Sequence, residues 1–307
     1  ISLPTLDNVY KVPIHLEHEG LGNLIAEKFS FTSKRADLEK WEEITTCDTS
    51  NWPEITVGIV GKYVELHDSY ISVTEALKHA GMFQKVRVNL KWISSELIEQ
   101  NGIRDLFNDT NGLVVPGGFD SRGIEGMIET AKYARENEIP YFGLCLGMQI
   151  MVIEYTRNKL GLRNANSLEM SESTEDPVIP LMDGQEALHS TGGTMRLGSY
   201  ACKLKLGTLT RKAYGVDIVN ERHRHRYEFN NAYREKLEKS GLIASGTSPD
   251  DSLVEVMEVH GHPFMLGSQF HPEFGSRPER PHPLFREFIR VAKNTPTEGD
   301  QQYLFDQ

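Results

Sequence analysis

One short segment of the chain has the spacing of a covalent nucleophile. Gly143-Leu144-Cys145-Leu146-Gly147 is a G-x-C-x-G pattern, the cysteine form of the nucleophile elbow. Small residues two positions to either side allow a strained turn between a strand and a helix. The helix N-terminus then favours the reactive thiolate. The pattern predicts a nucleophilic Cys145, and the alternative is a buried cysteine between glycines that only punctuate the chain.

A nucleophilic cysteine needs a base, and the base needs a group that orients it. His271-Pro272-Glu273 supplies a candidate pair, because residues two apart in extended backbone point to the same side. Glu273 would hold the imidazole while His271 takes the thiol proton. The alternative is a surface loop in which His and Glu lie together by chance.

Pro116-Gly117-Gly118-Phe119 follows an apolar run and predicts an oxyanion site. Glycines allow backbone N–H groups to approach an oxyanion closely. An ordinary turn at the end of a strand is the alternative, and this segment alone does not decide between the two.

The elements that must position these residues alternate regularly. We predict an α/β fold, with a mostly parallel central sheet flanked by helices and additional strands in the second half. Predicted strands of the first half are 55–60, 86–90, 113–115 and 139–144. Predicted helices are 72–80, started by a Ser-x-x-Glu capping box and stopped at Gly81, then 97–107, 124–135 and 148–155.

The second half is predicted to hold strands 196–206, 253–259 and 264–270 and helices 231–239 and 283–293. Residues 171–177 are predicted to be an exposed acidic loop. Residues 1–53 differ in pattern and are interpreted as a connector with short helices at 16–29 and 37–44. Residues 294–307 are interpreted as a polar tail.

Composition narrows the class of protein. The 307 residues carry a net charge of −11, which argues against a generic nucleic-acid or anionic-membrane binder. No apolar run approaches the roughly 18 residues of a spanning helix, and no secretory leader opens the chain. The three widely spaced cysteines fit neither a disulfide framework nor a zinc site, so a reducing, cytoplasmic setting is expected. The 11 histidines include no H-E-x-x-H pattern, and no metal is predicted.

The three motifs, in this order, resemble the class I (triad) glutamine amidotransferase domain. Four further blocks resemble the glutaminase domains of the CTP synthase family; they are residues 122–126, 164–169, 192–198 and 221–228. The resemblance covers about residues 54–293. Residues 1–53, with Tyr10-Lys11-Val12-Pro13, look like the end of a synthetase domain and its linker.

The resemblance implies a role for each matching residue. Cys145 would attack the side-chain amide of glutamine, with His271 as general base and acid and Glu273 as its orienter. The N–H groups of Gly118 and Leu146 would form the oxyanion hole. The residues implied to hold the amino-acid end of glutamine are Gln149, Glu169 and Arg226. An Arg fork suits the carboxylate, and a Glu suits the ammonium.

The resemblance also implies partners. Ammonia would pass to a synthetase domain that uses ATP and Mg to convert UTP to CTP, in an enzyme that is a homo-oligomer. This domain would need no cofactor, and GTP would activate it near Arg122, Glu125 and Arg196. Gly58-Ile59-Val60-Gly61-Lys62-Tyr63 lacks the spacing of a phosphate-binding loop. This, and an opening Ile1, predict the glutaminase half alone.

Two alternatives stay open. One is the glutaminase of another synthase, and the Arg-His-Arg-His-Arg run at 222–226 argues against it. That run could itself be interpreted as a nucleic-acid patch or a metal-binding pair of histidines. The second is a catalytically silent module, against which the complete Cys145, His271 and Glu273 set argues. Asp120, where the family usually has Gly, and Leu168, where it usually has a small polar residue, depart from the family pattern.

Overall fold

A computed structural model describes residues 1–32, 36–182 and 195–297. A mixed sheet joins nine strands of these residues in the order β2-β1-β3-β4-β11-β10-β9-β7-β8, and a separate parallel pair is β5-β6. The strands are β1 (Glu54–Gly61), β2 (Arg87–Ser94), β3 (Gly112–Val115), β4 (Tyr141–Leu144), β5 (Ala165–Ser167), β6 (Asp176–Ile179), β7 (Arg196–Leu204), β8 (Ile218–His225), β9 (Leu242–Thr247), β10 (Val254–Val259) and β11 (Met265–Ser268).

In the described residues, helices α4 to α10 accompany the sheet, and helices α1 to α3 lie in the connector of residues 1–53. They are α1 (Val12–His18), α2 (Leu21–Phe29), α3 (Glu39–Thr46), α4 (Ile71–Gln84), α5 (Ser95–Asn101), α6 (Ile124–Glu136), α7 (Leu146–Lys159), α8 (Leu209–Tyr214), α9 (Arg234–Ser240) and α10 (Pro283–Ala292). Helices α6 and α7 pack on one face, and α4 and α10 on the other. On the second face the ring of Phe142 lies 5.0 Å from that of Phe285 and 5.7 Å from that of Phe264.

The order of the strands confirms the predicted α/β fold. Strands β2, β1, β3, β4 and β11 are parallel, whereas β10, β9, β7 and β8 extend the sheet in antiparallel fashion. Strands β3, β4 and β11 are neighbours. Their carboxyl ends therefore bring the segments after residues 115, 144 and 268 to one edge, where sheets of this kind bind ligands.

Several predicted bounds are wrong for identifiable reasons. Helix α4 begins at Ile71, so Ser72 is inside the helix and no capping box starts it. The same helix continues through Gly81, where a glycine lets it lie against β2; a Cβ would stand 2.7 Å from a side-chain carbon of Val88 and 2.9 Å from the carbonyl oxygen of Val86. The helix predicted over 97–107 ends at Asn101, since Gly102 has a left-handed φ of 73°.

The connector contains one more helix than predicted. The segment 16–29 is divided by Gly20, whose φ of 83° separates α1 from α2. Strand 264–270 is shorter than predicted and ends at Ser268, which leaves His271 in irregular backbone. The last ten residues of the predicted tail, and residues 192–194 of one family block, lie outside the described residues.

Five elements of the second part of the chain were not predicted. They are β5, β6, α8, β8 and β9. For β8 a signal was present: Glu221, His223 and His225 are buried, whereas Arg222 and Arg224 between them are exposed. This alternation is the period of a half-buried strand.

Candidate active site

Cys145 lies at the turn between β4 and α7. It is the N-cap residue of α7 and has φ 51° and ψ −98°, a conformation that is strained for a residue with a Cβ. Its N–H donates to the carbonyl of Ser268 at 2.7 Å, which ties the turn to β11. Cys145 is buried but for 6% of its surface and lies at the N-terminus of α7.

The two glycines of the elbow are required by close backbone packing. A Cβ on Gly143 would stand 2.4 Å from the carbonyl oxygen of Gly147, and one on Gly147 would stand 2.1 Å from that of Val115. These neighbours are backbone atoms and cannot rotate away. The G-x-C-x-G pattern is therefore the condition for α7 to start directly against β3 and β4.

His271 and Glu273 are joined by a hydrogen bond in which the imidazole Nδ1 and the Oε1 of Glu273 are 2.8 Å apart. The backbone N–H of His271 donates to the carbonyl of Arg222 at 2.8 Å, so β8 anchors the residue. Glu273 lies on a 3₁₀ turn, Pro272–Gly275, that follows at once. The pair is thus held from two directions at the sheet edge that carries Cys145.

The charge state of His271 depends on both neighbours. Burial lowers the pKa of His271, but interactions with Cys145 and then with Glu273 outweigh it and raise the pKa to about 10. The Nε2 atom makes no hydrogen bond of standard geometry with the described residues. Hydrogen bonds between a base and its nucleophile are often long or poorly aligned before substrate binds. At neutral pH the arrangement holds a protonated imidazole near Cys145.

The residues proposed for the oxyanion hole lie beside His271 and Cys145. A Cβ on Gly117 would stand 3.0 Å from the Cε1 atom of His271 and 3.7 Å from the Cβ of Cys145, and one on Gly118 would stand 3.2 Å from a side-chain carbon of Leu146. Leu146 is the first residue of α7, where backbone N–H groups have no partner within the helix. The fold therefore brings Gly118 and Leu146 together next to the thiol.

Gln269 also contacts the nucleophile, although the sequence analysis did not identify it. Its amide Nε2 donates to the sulfur of Cys145 at 3.6 Å, and its Oε1 accepts from the Nε2 of Gln149 at 3.3 Å. Gln149 donates as well to the carbonyl of Tyr227 at 3.2 Å. The available signal was the spacing of Gln269 two residues before His271, which places both on one side of extended backbone.

Glu169 and Arg226 lie close enough for the charge of Arg226 to act on the carboxyl group of Glu169. Burial raises the pKa of Glu169, while a hydrogen bond from the N–H of Asp120 (3.2 Å) and the charges of Lys62 and Arg226 partly offset it. The buried Nε of Arg226 has no hydrogen-bond partner among the described residues. Leu168, one of the departures from the family pattern, donates its backbone N–H to Ile179 at 3.0 Å. An anionic group and a cationic group are thus available at one wall.

The residues predicted to lie near an effector are already paired in this structure. Arg122 contacts Glu96 at 3.1 Å, and Glu125 contacts Arg157 at 2.8 Å. Arg196 lies on β7 in a buried ion pair of 2.7 Å with Glu255. Arg196 therefore lies in the antiparallel part of the sheet, whereas Glu125 lies in the first turn of α6 and Arg122 just before it.

The histidines of the 221–228 block form a buried chain. The Nδ1 of His223 lies 3.0 Å from the Nε2 of His225, whose Nδ1 lies 3.0 Å from the carbonyl of Tyr227. Burial lowers the pKa of His223 to about 2 and that of His225 to about 3. Both rings are neutral and serve the packing of β8. In the described ranges, no group of three or more His, Cys, Asp or Glu side chains is placed to hold a metal ion.

The family model "Glutamine amidotransferase class-I" matches residues 65–291. The chain therefore belongs to the class-I glutamine amidotransferase family.

Among solved structures, a Trypanosoma brucei CTPS glutaminase domain with bound acivicin superposes with a TM-score of 0.74 and 37% identity, covering 79% of this chain and 95% of that one. The CTP synthase of Roseiflexus sp. is 52% identical over 99% of this chain, and that of Bacillus subtilis 50% identical over 95%. The chain spans 55% of the length of each of these two relatives. In the part that the structure describes, no helix is long and apolar enough to cross a membrane.

Proposed function

We propose that this domain hydrolyses glutamine through Cys145, His271 and Glu273. The observation that carries the proposal is the position of His271, which is hydrogen-bonded to Glu273 and borders Gly117 together with Cys145. A nucleophile, a base and an orienter in this relation are the requirement for covalent acyl transfer.

The reaction follows from these groups. The Cys145 thiolate attacks the side-chain amide carbon of glutamine, and the N–H groups of Gly118 and Leu146 stabilise the oxyanion. His271 gives its proton to the departing nitrogen, so that ammonia leaves and a γ-glutamyl thioester remains. His271 then takes a proton from water, which attacks the thioester and releases glutamate and the thiolate.

Substrate recognition would use the charged wall of the cleft. Arg226 would bind the α-carboxylate of glutamine and Glu169 its ammonium, with Gln149 lining the pocket. The Nε of Arg226, which is buried and has no hydrogen-bond partner among residues 1–32, 36–182 and 195–297, supports this assignment, because such a nitrogen is costly to bury until a ligand accepts from it.

For the whole protein we propose CTP synthesis from UTP, on the basis of the CTP synthase relatives. Residues 1–53 would be the end of the synthetase domain with its linker, and residues 54–293 the glutaminase. ATP and Mg would bind in the synthetase domain: in this chain the Gly61–Lys62 segment does not fit a phosphate loop, because a Cβ on Gly61 would stand 2.6 Å from the hydroxyl of Tyr70 and the Lys62 ammonium already donates to the carbonyl of Phe119. GTP activation, assembly into a homo-oligomer and a cytoplasmic setting remain predictions of the same kind.

The test is release of ammonia from glutamine by this chain, with and without an added synthetase half, UTP and ATP. We expect slow hydrolysis alone, faster hydrolysis with the partner, and CTP only with the partner. CTP made by this chain alone would contradict the assignment of CTP synthesis to the synthetase half. Absence of glutamine-derived ammonia under every condition, with Cys145 intact, would favour a silent module.

A further inference from the structure

Tyr10, in the connector, makes a polar contact with the amidotransferase domain. Its 3₁₀ turn, Val9–Lys11, lies against α4, and the phenol hydroxyl donates to the carboxylate of Glu75. The same hydroxyl lies 2.8 Å from the Nε2 of His79, one helical turn further on. The ring of Trp41 packs 6.2 Å from that of Tyr10, which holds the phenol in place.

The contact continues to the triad. The Nδ1 of His79 lies 3.1 Å from the hydroxyl of Ser276, and both residues are buried. Ser276 ends the 3₁₀ turn that contains Glu273, since its N–H donates to the carbonyl of Glu273 at 3.4 Å. A cavity of about 250 Å³ is lined by Glu75, His79, Ser276 and Glu273. Glu75, which accepts the hydrogen bond from Tyr10, and the orienting carboxylate of Glu273 therefore border the same cavity.

The hydrogen bonds that link Tyr10, His79 and Ser276 have one consistent donor-to-acceptor direction. Burial raises the pKa of Tyr10 and lowers that of His79, so the phenol is protonated and the imidazole is neutral. Because the phenol donates to Glu75, its oxygen accepts from Nε2–H of His79. The Nδ1 of that tautomer then accepts from the hydroxyl of Ser276, whose oxygen accepts from the N–H of His282 at 3.3 Å.

We propose that Tyr10 is a positioning residue for the catalytic triad, acting through His79 and Ser276 on the turn that holds Glu273. This inference rests on the proposed glutaminase function. Its physical basis is that a carboxylate orients an imidazole only if its own turn is held. Displacement of the connector would release Ser276 and loosen the hydrogen bond between Glu273 and His271. The position of the connector would therefore change the reactivity of Cys145.

The test uses Tyr10→Phe in the 307-residue chain, which keeps the ring and removes the hydroxyl. We expect kcat for glutamine hydrolysis to fall about three- to tenfold while KM stays within about twofold, as for loss of one hydrogen bond that positions the machinery. Tyr233→Phe is the matched control, because its hydroxyl also donates to a carboxylate, that of Asp176 at 3.1 Å, on a different turn. Equal kcat values for the two variants and the unaltered chain would overturn the proposal.

A double-mutant cycle separates transmission from simple destabilisation. If Tyr10 acts through Ser276, then Tyr10→Phe combined with Ser276→Ala loses no more activity than the larger single change. Losses that multiply would show that the two residues act independently, and the proposed route would be wrong. Thermal unfolding of the same variants identifies any change that follows from stability alone.

A second readout does not depend on glutamine turnover. The rate of Cys145 alkylation by iodoacetamide, followed by peptide mass mapping between pH 6 and pH 8, reports the thiolate directly. We expect Tyr10→Phe to slow it at the acidic end and Tyr233→Phe to leave it unchanged. If the unaltered chain releases no ammonia, the glutaminase proposal fails while this readout still decides the role of Tyr10. An unchanged alkylation profile in both variants would refute that role.

Discussion

Lys62 and Asp120 form an ion pair that ties the end of β1 to the loop after Gly118. The ammonium of Lys62 donates to the backbone carbonyl of Asp120 at 2.5 Å and to its carboxylate at 3.2 Å. Asp120 has a left-handed φ of 65°, which explains why a glycine suits this position in the family and why an Asp, which tolerates that region, can replace it. Its carboxylate also accepts from the N–H of Arg122 at 2.8 Å. This departure from the family pattern thus carries its own stabilising contacts.

Lys62→Met is expected to release the loop that follows Gly118. Loss of charge-assisted hydrogen bonds worth roughly 1.5–3 kcal/mol predicts a fall in kcat/KM of about 10- to 150-fold. The control is Lys239→Met, which removes an exposed pair with Glu235 and is expected to change kcat/KM less than about twofold. The measurement is steady-state glutaminase kinetics on both variants. Equal kcat/KM values would show that Lys62 does not support the loop.

Arg226→Lys keeps the positive charge but loses the planar fork that suits a carboxylate. We expect kcat/KM for glutamine to fall about 10- to 150-fold, on the same scale of roughly 1.5–3 kcal/mol per charge-assisted hydrogen bond. Arg163→Lys, at an exposed position, is the control. An unchanged specificity constant for Arg226→Lys would mean that this guanidinium does not contact the substrate.

A glutamine-mimicking electrophile is expected to add once, at Cys145. Cys47 is exposed but has no base assigned to it, and burial raises the pKa of Cys202, which keeps that thiol protonated. Cys145→Ala should abolish both the adduct and glutamine turnover while the fold remains intact. The measurement is peptide mass mapping with circular dichroism. An adduct found mainly on Cys47 or Cys202 would remove the assignment of the nucleophile.

The raised pKa of His271 predicts a pH-dependent contribution to stability. Since the folded-state pKa is about 10, the protonated ring stabilises the fold fully below its ordinary pKa of about 6.5, and this stabilisation is lost as the pH rises toward 10. His271→Gln should therefore lower the free energy of unfolding more at pH 6 than at pH 10, by a difference on the order of 2–4 kcal/mol. Urea unfolding of both proteins at the two pH values tests this. A cost that is equal at both would contradict the imidazolium state.

Gly147→Ala is expected to be severely destabilising. The added Cβ would stand 2.1 Å from the backbone oxygen of Val115, so α7 must move away from β3, at a cost of about 2 kcal/mol or more. Gly161→Ala is the control: Gly161 has a φ of 74°, but an added Cβ would meet no atom of the described residues within 4 Å, and the replacement should cost about 1 kcal/mol. Chemical denaturation compares the two. If both variants lose the same stability, the close approach at the elbow is not limiting.

The sequence alone predicted the alternation of strands and helices in the first half and the local chemistry of the motifs. Short apolar runs bounded by glycine and proline predict the ends of β1, β3 and β4 to within two residues, because burial on both sheet faces imposes a continuous apolar run. G-x-C-x-G and His-Pro-Glu are also local, since the strain of an elbow and the pairing of residues two apart depend on adjacent backbone. The same locality made the class-I amidotransferase family recognisable.

Only the tertiary structure decided which distant segments meet. Strand β11 begins at Met265, far along the chain from Leu144, yet pairs with β4 and so delivers His271 to Cys145. Hydrophobic periodicity reports which face of an element is buried but not which strand it pairs with, so the antiparallel extension through β8 and β9 was missed. The contacts of Lys62 with Asp120 and of Gln269 with Cys145 were missed for the same reason: each joins groups with ordinary local spacing, and only the packing of separate elements makes them neighbours.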